Sequence, residues 1–416
     1  MNMSTQKILF LTFKIFLVMP ALFYVEAYAE VPLTAKSAKP NLSESGSVGV
    51  IESEAEFFRI EHVMEGLQVP WALAFLPDGT ALVSERAAGA VSLIDFSNGT
   101  SERLGGIPED VYIKINAGML DIVLHPNFPN NRWVYYCYTA GDEALNTMVV
   151  ERAIFAGNHL TNRQRIFEAL PWYHNAHVYG CRLAFNGDYV FVTMGDRWDM
   201  RHLAQSPGTH IGKTIRIYHD GRVPEDNPFV GIRGALPEVW SLGNRNAQGL
   251  VVHPVTGDLW EHEHGPLGGD EVNVIERGRN YGWPVISYGK EYGGQPIIHI
   301  GRQGNTRYDQ DGLTEMEGME QPLHTYIPSI APSDMFFYTG SAFPGWKGNL
   351  FIGALAGKHL NRLVVDDREV LHEERLLEKQ GWRIRLVKQG PDDFIYLGTD
   401  EGDIFRLVPQ KNEGHD

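Results

Sequence analysis

Cysteine is scarce in this chain, which has only Cys137 and Cys181 among its 416 residues. So few cysteines exclude a disulfide-rich scaffold, and their separation in sequence excludes a cysteine-based metal motif. Both lie in apolar, strand-like stretches, where a buried free thiol is at least as typical as a disulfide in an oxidising compartment. The sequence therefore leaves their redox state open.

Clustered basic charge is also missing. Lys and Arg number 36 against 52 Asp and Glu, which gives a formal net charge of −16. A nucleic-acid surface needs clustered basic side chains to neutralise phosphates, so nucleic acid is not an expected partner. Hydrophobic residues make up 43% and charged residues 21% of the chain, as in soluble globular proteins of one large or two ordinary domains.

A long hydrophobic run occurs only at the amino terminus. There Lys7 precedes an apolar stretch that ends in Ala27, Tyr28 and Ala29, the arrangement of a cleavable export signal over residues 1–29. The alternative is a single membrane anchor, although Lys14 interrupts the stretch. No later segment approaches the roughly 20 apolar residues that cross a bilayer, so we expect an exported mature protein without a membrane span.

Helical periodicity is nearly absent, and a strand–turn–strand pattern recurs instead. After a polar segment at 30–55 that predicts a disordered leader, apolar strands alternate with turns rich in Gly, Pro, Asn and Asp. Six copies of the pattern begin at Trp71, Leu120, Cys181, Gly249, Met335 and Ile384. The repeat predicts an all-β, six-bladed β-propeller over residues 56–410 with a tail at 411–416. A pair of β-sandwiches is the competing architecture.

The propeller architecture predicts how the ring closes and where a functional site lies. The segment that begins at Phe57 is expected to add an outer strand to the last blade. Polar loops that enter the inner strands should meet at one mouth of the channel, where propellers hold either a catalytic site or a binding partner. One such loop is His174–Gly180, in which His177 is a candidate proton acceptor; the alternative is a hydrated loop.

The densest polar stretch runs from Glu261 to Pro284. Its Gly-Pro-x-Gly-Gly segment exposes backbone carbonyls, and Asp270 and Glu271 follow, so the stretch is typical of a Ca²⁺ site. His262 and His264 share a strand face and favour Zn²⁺ as an alternative, although two nitrogens do not complete a tetrahedral set. A glycine-rich turn with solvated charges is the third interpretation.

Arginines form a second pattern. Arg245 and Asn246 lie on a turn between apolar strands, and Arg383 and Arg385 lie on one face of a strand. Three guanidiniums at one mouth predict bidentate binding of a ligand with several carboxylates. Taken singly, each arginine is more often a surface or blade-linking residue.

The stretch GNRNAQG…EHEHGPLGGDEVN…NYGWP resembles the soluble aldose sugar and glucose dehydrogenases that depend on pyrroloquinoline quinone (PQQ). The resemblance extends over most of the mature chain, from GLQVPWALAFLPDG to RIRLVKQGPD. It implies a six-bladed propeller in which a loop histidine takes the proton of the anomeric hydroxyl while hydride passes to PQQ. A quinone-bound Ca²⁺ polarises the accepting carbonyl.

The resemblance also implies residue roles. The carbonyls of Gly265 and Pro266 would hold the catalytic Ca²⁺, and Glu271 and Tyr281 resemble ligands of a structural Ca²⁺. The implied cofactor-binding residues are Asn116, Arg245, Asn246, Tyr292, Arg383 and Arg385. The implied partners are a sugar and a soluble electron acceptor, and the implied place is the bacterial periplasm, with secretion as the alternative, for a monomer or homodimer.

Several positions depart from the family pattern. The family's base lies four residues before the arginine that is Arg182 here; that position is Val178, and His177 lies one residue earlier. Asn116 replaces a Gln, Arg197 replaces a Gln, and Ala356 replaces a Lys, with Lys358 two residues on. The prediction is therefore an exported PQQ-dependent aldose dehydrogenase with His177 as displaced base. The alternatives are a catalytically degenerate binding propeller and, after it, a Ca²⁺-dependent lactonase.

Overall fold

Short strands make up nearly all of the regular structure in residues 49–297 and 312–410, which are the residues that the computed structural model describes. The predicted signal peptide, most of the predicted leader and the tail lie outside these ranges. The leader's last residues are described, and two of them form strand β1 (Ile51–Glu52), which pairs with β2 (Phe57–Met64). Regular structure thus begins before residue 56.

Each of the first three blades is a four-stranded sheet in which strands adjacent in sequence pair with each other. Blade 1 contains β3 (Pro70–Phe75), β4 (Ala81–Glu85), β5 (Ala90–Asp95) and β6 (Thr100–Arg103). Blade 2 contains β7 (Met119–Leu124), β8 (Trp133–Gly141), β9 (Asn146–Phe155) and β10 (Leu160–Glu168). Blade 3 contains β11 (Gly180–Asn186), β12 (Tyr189–Met194), β13 (Lys213–Tyr218) and β14 (Val239–Leu242).

The remaining blades repeat the arrangement. Blade 4 contains β15 (Ala247–Val252), β16 (Leu259–Glu263), β17 (Asp270–Val274) and β18 (His324–Tyr326). Blade 5 contains β19 (Pro332–Phe337), β20 (Leu350–Ala354), β21 (Leu360–Asp366) and β22 (Glu369–Leu376). Blade 6 contains β23 (Ile384–Gln389), β24 (Ile395–Thr399) and β25 (Ile404–Pro409). Helical segments in the described residues are short: α1 (Phe128–Asn131) and 3-10 turns at Arg86–Ala88, Arg201–Gln205, Pro344–Trp346 and Glu378–Gln380.

The blades form a closed ring. The first strand of each blade contacts the first strand of the next, in the cycle β3, β7, β11, β15, β19, β23 and back to β3. Strand β2 completes blade 6 by antiparallel pairing with β25, with Ile60 opposite Leu407. The predicted six-bladed propeller is therefore confirmed, and the amino-terminal strand supplies the outer strand that the sequence indicated.

The repeated sequence pattern corresponds to the two innermost strands of each blade. In blade 1, β3 and β4 are buried on both faces except at Phe75, because neighbouring blades cover both sides of each small sheet. Large aromatic rings fill the spaces between blades: Trp346 stacks on Phe343 at 4.6 Å and lies 5.5 Å from Phe58. Burial of such rings is the main favourable contribution to the fold.

Arg182 lies at the centre of the ring. Its guanidinium is 2% exposed and donates to the carbonyls of Gln248 at 2.6 Å and Ser333 at 2.9 Å. It forms ion pairs with Asp121 at 3.4 Å and Asp334 at 3.5 Å. One side chain from blade 3 thus links blades 2, 4 and 5.

Both cysteines are free and fully buried. Burial raises the pKa of the Cys181 thiol, and a hydrogen bond with Cys137 acts in the same direction. The thiols of blades 2 and 3 therefore lie next to each other. In the described part of the chain, no helix is long and apolar enough to cross a membrane.

Candidate active site

The loop between β10 and β11 carries His177. The left-handed backbone of Val178, at φ 53°, bends this loop, an uncommon conformation for a β-branched residue. The Val178 side chain is buried, whereas the half-buried His177 ring lies 6.1 Å from Trp198, measured between ring centroids. Burial lowers the pKa of His177, Arg197 acts in the same direction, and Asp199 opposes them.

A row of aromatic rings leads from His177 to Arg245. Trp198 stacks on Tyr292 with a centroid distance of 5.4 Å and an interplanar angle of 15°. Arg245 Nη2 donates to the Tyr292 hydroxyl at 3.3 Å. Two predicted cofactor-binding residues and the candidate base therefore lie along one wall of the same site.

Arg245 also contacts the predicted calcium loop. Its Nη1 donates to the carbonyls of His264 and Gly265, each at 2.8 Å, and its guanidinium lies 5.3 Å from the Trp283 ring centroid. The side-chain amide of neighbouring Asn246 lies 3.4 Å from His264 Nδ1. Pro266 is buried directly after this contact. The turn that follows blade 3 and the loop between β16 and β17 thus meet.

Arg383 and Arg385 approach the same histidine from blade 6. Burial lowers the pKa of His264 to about 3; the hydrogen bond to the Pro332 carbonyl opposes this, and the charges of Arg245, Arg385 and Arg383 reinforce it. Both blade 6 arginines also pair with Asp400, Arg383 through Nε at 2.9 Å and Arg385 through Nε at 2.7 Å. Three guanidiniums therefore converge, with one carboxylate between two of them.

Three glutamates lie beneath the calcium loop. Glu261 accepts from Thr214 and Asn244, at 2.9 and 2.8 Å, and Glu263 accepts from the backbone amides of Arg245 and Asn246. Burial raises the pKa of Glu261 to about 8 and that of Glu271 to about 7. Burial and repulsion from Glu271 and Glu261 raise the pKa of Glu263. None of these carboxylates pairs with a basic side chain in the described residues.

A small cavity adjoins these carboxylates. Glu263, Glu271, Gly265, Gly269, Tyr281 and Ser287 are among its lining residues. The Tyr281 hydroxyl donates to the Val274 carbonyl at 2.6 Å and accepts from the Glu276 amide at 2.7 Å. The hydroxyl of Tyr281 is therefore already engaged in hydrogen bonds with the backbone of its own blade.

The other departures from the family pattern lie around this site. The backbone amide of Asn116 donates to the Ala176 carbonyl at 3.2 Å, so Asn116 adjoins the His177 loop. Ala356 is exposed and follows Leu355, whose carbonyl accepts from Arg383 at 3.1 Å. Lys358 is exposed, with φ 53°. Arg197 is buried behind the His177 loop.

Residues 67–406 match the model of the glucose/sorbosone dehydrogenase family. The chain belongs to this family. Aldose sugar dehydrogenase YliI of Escherichia coli (strain K12) is 36% identical over 357 residues, which are 84% of this chain and 93% of that protein.

Solved structures of the glucose/sorbosone dehydrogenase family agree. The apo-form crystal structure of the soluble aldose sugar dehydrogenase of Escherichia coli has a TM-score of 0.79 and 34% identity, covering 85% of this chain and 100% of that one. The PQQ-bound aldose sugar dehydrogenase of Streptomyces coelicolor has a TM-score of 0.67 and 25% identity, covering 84% and 98%. The resemblance seen in the sequence is therefore confirmed, and the matches favour a sugar dehydrogenase over the alternatives.

Sequence reasoning missed several residues of the site. On β16, His262 and His264 drew attention as a pair two residues apart, yet Glu261 and Glu263 have the same spacing and form the carboxylate cluster. That alternation was visible in the sequence. The one group of at least three His, Cys, Asp or Glu side chains with ligand atoms within 4.8 Å, among the described residues, is His62, Glu65 and Asp403, and it includes no histidine or glutamate of blade 4. Asp400 and Trp198 carried no sequence signal, and Trp283 lies in the NYGWP stretch of the resemblance without having been assigned a role.

Proposed function

We propose that this protein oxidises the anomeric carbon of aldose sugars to lactones, with PQQ as hydride acceptor and Ca²⁺ as Lewis acid. The observation that carries the proposal is the position of Arg245. Its guanidinium contacts the carbonyl of Gly265 in the calcium loop and the hydroxyl of Tyr292. Tyr292 in turn stacks on Trp198, and the Trp198 ring lies beside His177. Arg245 therefore connects the proposed metal, cofactor and base positions.

The residues present fit a calcium ion. The cavity is small and is lined by the carboxylates of Glu263 and Glu271 and by the backbone of Gly265, a set of oxygen ligands that Ca²⁺ prefers. Buried carboxylates without a basic partner are unfavourable unless a cation neutralises them. Glu271 and the carbonyl of Tyr281 would hold a structural ion, and the carbonyls of Gly265 and Pro266 would hold the ion beside PQQ.

The residues also fit a planar tricarboxylate. Arg245, Arg383 and Arg385 carry three positive charges around His264, and Asp400 compensates one of them. Guanidiniums bind carboxylates bidentately and remain charged at every physiological pH. The net positive charge on this side of the site favours PQQ over a neutral ligand.

The calcium-bound quinone supplies hydride acceptance when it is present. His177 supplies the base: its unprotonated ring nitrogen takes the proton of the anomeric hydroxyl as the sugar loses hydride. Because burial lowers the pKa of His177, the ring stays neutral at pH 7 and can accept this proton. The Trp198 ring lies beside it, with the ring centroids 6.1 Å apart.

We further propose that the protein is exported, through the signal at residues 1–29, to the periplasm or the exterior, where a soluble acceptor reoxidises PQQ. The export signal supports this placement. Mass spectrometry of the mature protein should show cleavage after Ala29.

Cofactor titration tests the central proposal. Adding PQQ and Ca²⁺ to the purified apoprotein should change the absorption spectrum of the quinone, and dye reduction with glucose, xylose and maltose should follow. His177→Ala should lower kcat by about 10²- to 10⁴-fold, the usual contribution of a general base. His174→Ala, on the exposed part of the same loop, is the matched control. No spectral change, or full turnover by His177→Ala, would contradict the proposal.

A further inference from the structure

Arg197 is a buried charge without an ion pair. Its side chain is 2% exposed, and in the described residues it forms no ion pair with a carboxylate. Burial lowers the pKa of Arg197. Burial of a guanidinium is unfavourable unless hydrogen bonds and ring contacts offset the lost hydration. The contacts that offset it show what Arg197 does.

Those contacts all lie on the loop that carries His177 or on its support. Arg197 Nη2 donates to the Asn175 carbonyl and to Asn146 Oδ1, each at 2.6 Å. Its guanidinium carbon lies 4.0 Å from the ring centroid of Tyr179. Its backbone amide donates to the Val178 carbonyl at 3.1 Å. Arg197 therefore contacts residues on both sides of His177.

The contact is reciprocal. Asn175 Nδ2 donates to the Arg197 carbonyl at 2.6 Å, and the Tyr179 hydroxyl donates to the Asn175 carbonyl at 3.0 Å. Two backbone amides also support the loop. That of Asn116 donates to the Ala176 carbonyl at 3.2 Å, and that of Gly195 donates to the Tyr179 carbonyl at 2.9 Å. Much of the loop's support therefore comes from residues 195–197.

The backbone of the same segment places a second residue beside His177. Arg197 and Trp198 both have left-handed backbones, with φ of 57° and 63°. Arg197 points into the protein, whereas Trp198 remains 38% exposed at the mouth, next to the His177 ring. Two consecutive residues in this strained conformation are typical of functional sites.

We propose that Arg197 is the positioning residue of His177: it binds the loop from within and keeps the ring at the mouth although His177 lies one residue away from the expected position. The inference rests on the proposed function, in which His177 is the base. A guanidinium suits this role, because its Nη2 donates to Asn175 and Asn146 at once while its planar group lies over the Tyr179 ring.

The test compares two variants that separate geometry from charge. Arg197→Lys keeps the charge and loses the planar group that lies over Tyr179; Arg197→Gln loses both. Both should lower kcat with the sugar by roughly 100-fold, the typical effect of a 1 Å misplacement, and leave the affinity for PQQ unchanged. Arg216→Gln removes another buried arginine of blade 3 and should lower only the melting temperature.

A second measurement does not depend on turnover. The titration of His177 is followed by NMR in the calcium-loaded apoprotein, with its resonance assigned by its absence in His177→Asn. Asp199 and Arg197 are the charged groups that act on this ring. Arg197→Gln should therefore raise the pKa of His177, whereas Arg197→Lys should leave it nearly unchanged. The pKa difference reports the charge of Arg197 beside the ring, and a loss of kcat in Arg197→Lys without a pKa shift reports its positioning of the ring.

The outcomes are distinct. Turnover within threefold of wild type together with an unchanged His177 titration in Arg197→Gln would overturn the inference. If neither Arg197 variant folds, Asn175→Ala decides: loss of kcat and a shifted His177 resonance support the inference, and unchanged values overturn it. If the wild type shows no PQQ-dependent turnover, the proposed function fails, whereas the NMR titration still tests how Arg197 acts on His177.

Discussion

Two networks of buried charge differ in how the protein completes them. At the centre of the ring, Arg182 lies between Asp121 and Asp334, and each aspartate also accepts from backbone amides, Asp121 from Leu183 at 2.7 Å and Asp334 from Met335 at 2.9 Å. In blade 4, by contrast, Glu261, Glu263 and Glu271 have no basic partner among the described residues.

The difference distinguishes a charge network that stabilises the fold from one that binds a ligand. A charge network that the protein completes by itself ties elements together and needs no ligand. A cluster of carboxylates that lacks counter-charge raises its own pKa values and binds a cation when one is offered. Arg182, Asp121 and Asp334 are buried, and so are Glu261 and Glu263, so burial alone does not distinguish a structural site from a binding site; charge balance does.

The largest expected effect is at the central network. Arg182→Met leaves Asp121 and Asp334 buried without a cation, so it should lower the free energy of unfolding by about 3–5 kcal/mol. Denaturant unfolding measures this loss. Arg368→Met also removes an arginine between two carboxylates, Asp258 and Glu276, but on the surface, and should cost about 1 kcal/mol or less. Equal losses in the two variants would refute the role of burial.

Calcium should stabilise the protein by binding to blade 4 alone. At 100 times its Kd, Ca²⁺ should raise the free energy of unfolding of the wild type by about 2.7 kcal/mol, measured as a rise in melting temperature that a chelator reverses. Glu271→Gln should abolish this rise. Without calcium the same variant should be at least as stable as the wild type, because it removes a buried charge. A calcium effect that persists in Glu271→Gln would place the ion elsewhere.

Substitution of an arginine on the proposed cofactor-binding side should have a smaller effect. Arg383→Gln removes one of three charges while Asp400 keeps Arg385 as its partner, so stability should change little. The affinity for PQQ should fall about tenfold, or about 1.4 kcal/mol, in a titration of quinone absorption. Arg375→Gln, an exposed arginine on β22, is the control, and equal affinities in both variants would exclude Arg383 from the cofactor site.

The smallest expected effect concerns pH. The pKa of His177 lies below its usual value of about 6.5, so its neutral, base-competent form persists into mildly acidic solution. The acid limb of kcat/KM should fall below pH 6.5. Asp199→Asn removes the charge that raises this pKa and should move the limb lower still. A shift toward higher pH would show that His177 is not the group observed.

Parts of the site could be predicted from local sequence. The calcium loop and the arginines stand in stretches whose residue types already indicate their chemistry, and the structure places Arg245 against Gly265. The partner of Arg383 and Arg385 could not be predicted, because Asp400 is brought to them by the turn after β24. The same holds for Trp198, which reaches His177 through two left-handed residues.

The sequence by itself determined the architecture of this protein. Strand alternation and turn residues are local signals, and six copies of one unit can bury their faces only by stacking in a ring. The tertiary structure alone decided which charges meet: Arg182 with its aspartates, the blade 4 glutamates with one another, and Arg197 with the His177 loop. Such contacts depend on the direction of each side chain and on which distant segments the fold brings together, and no local sequence pattern encodes either.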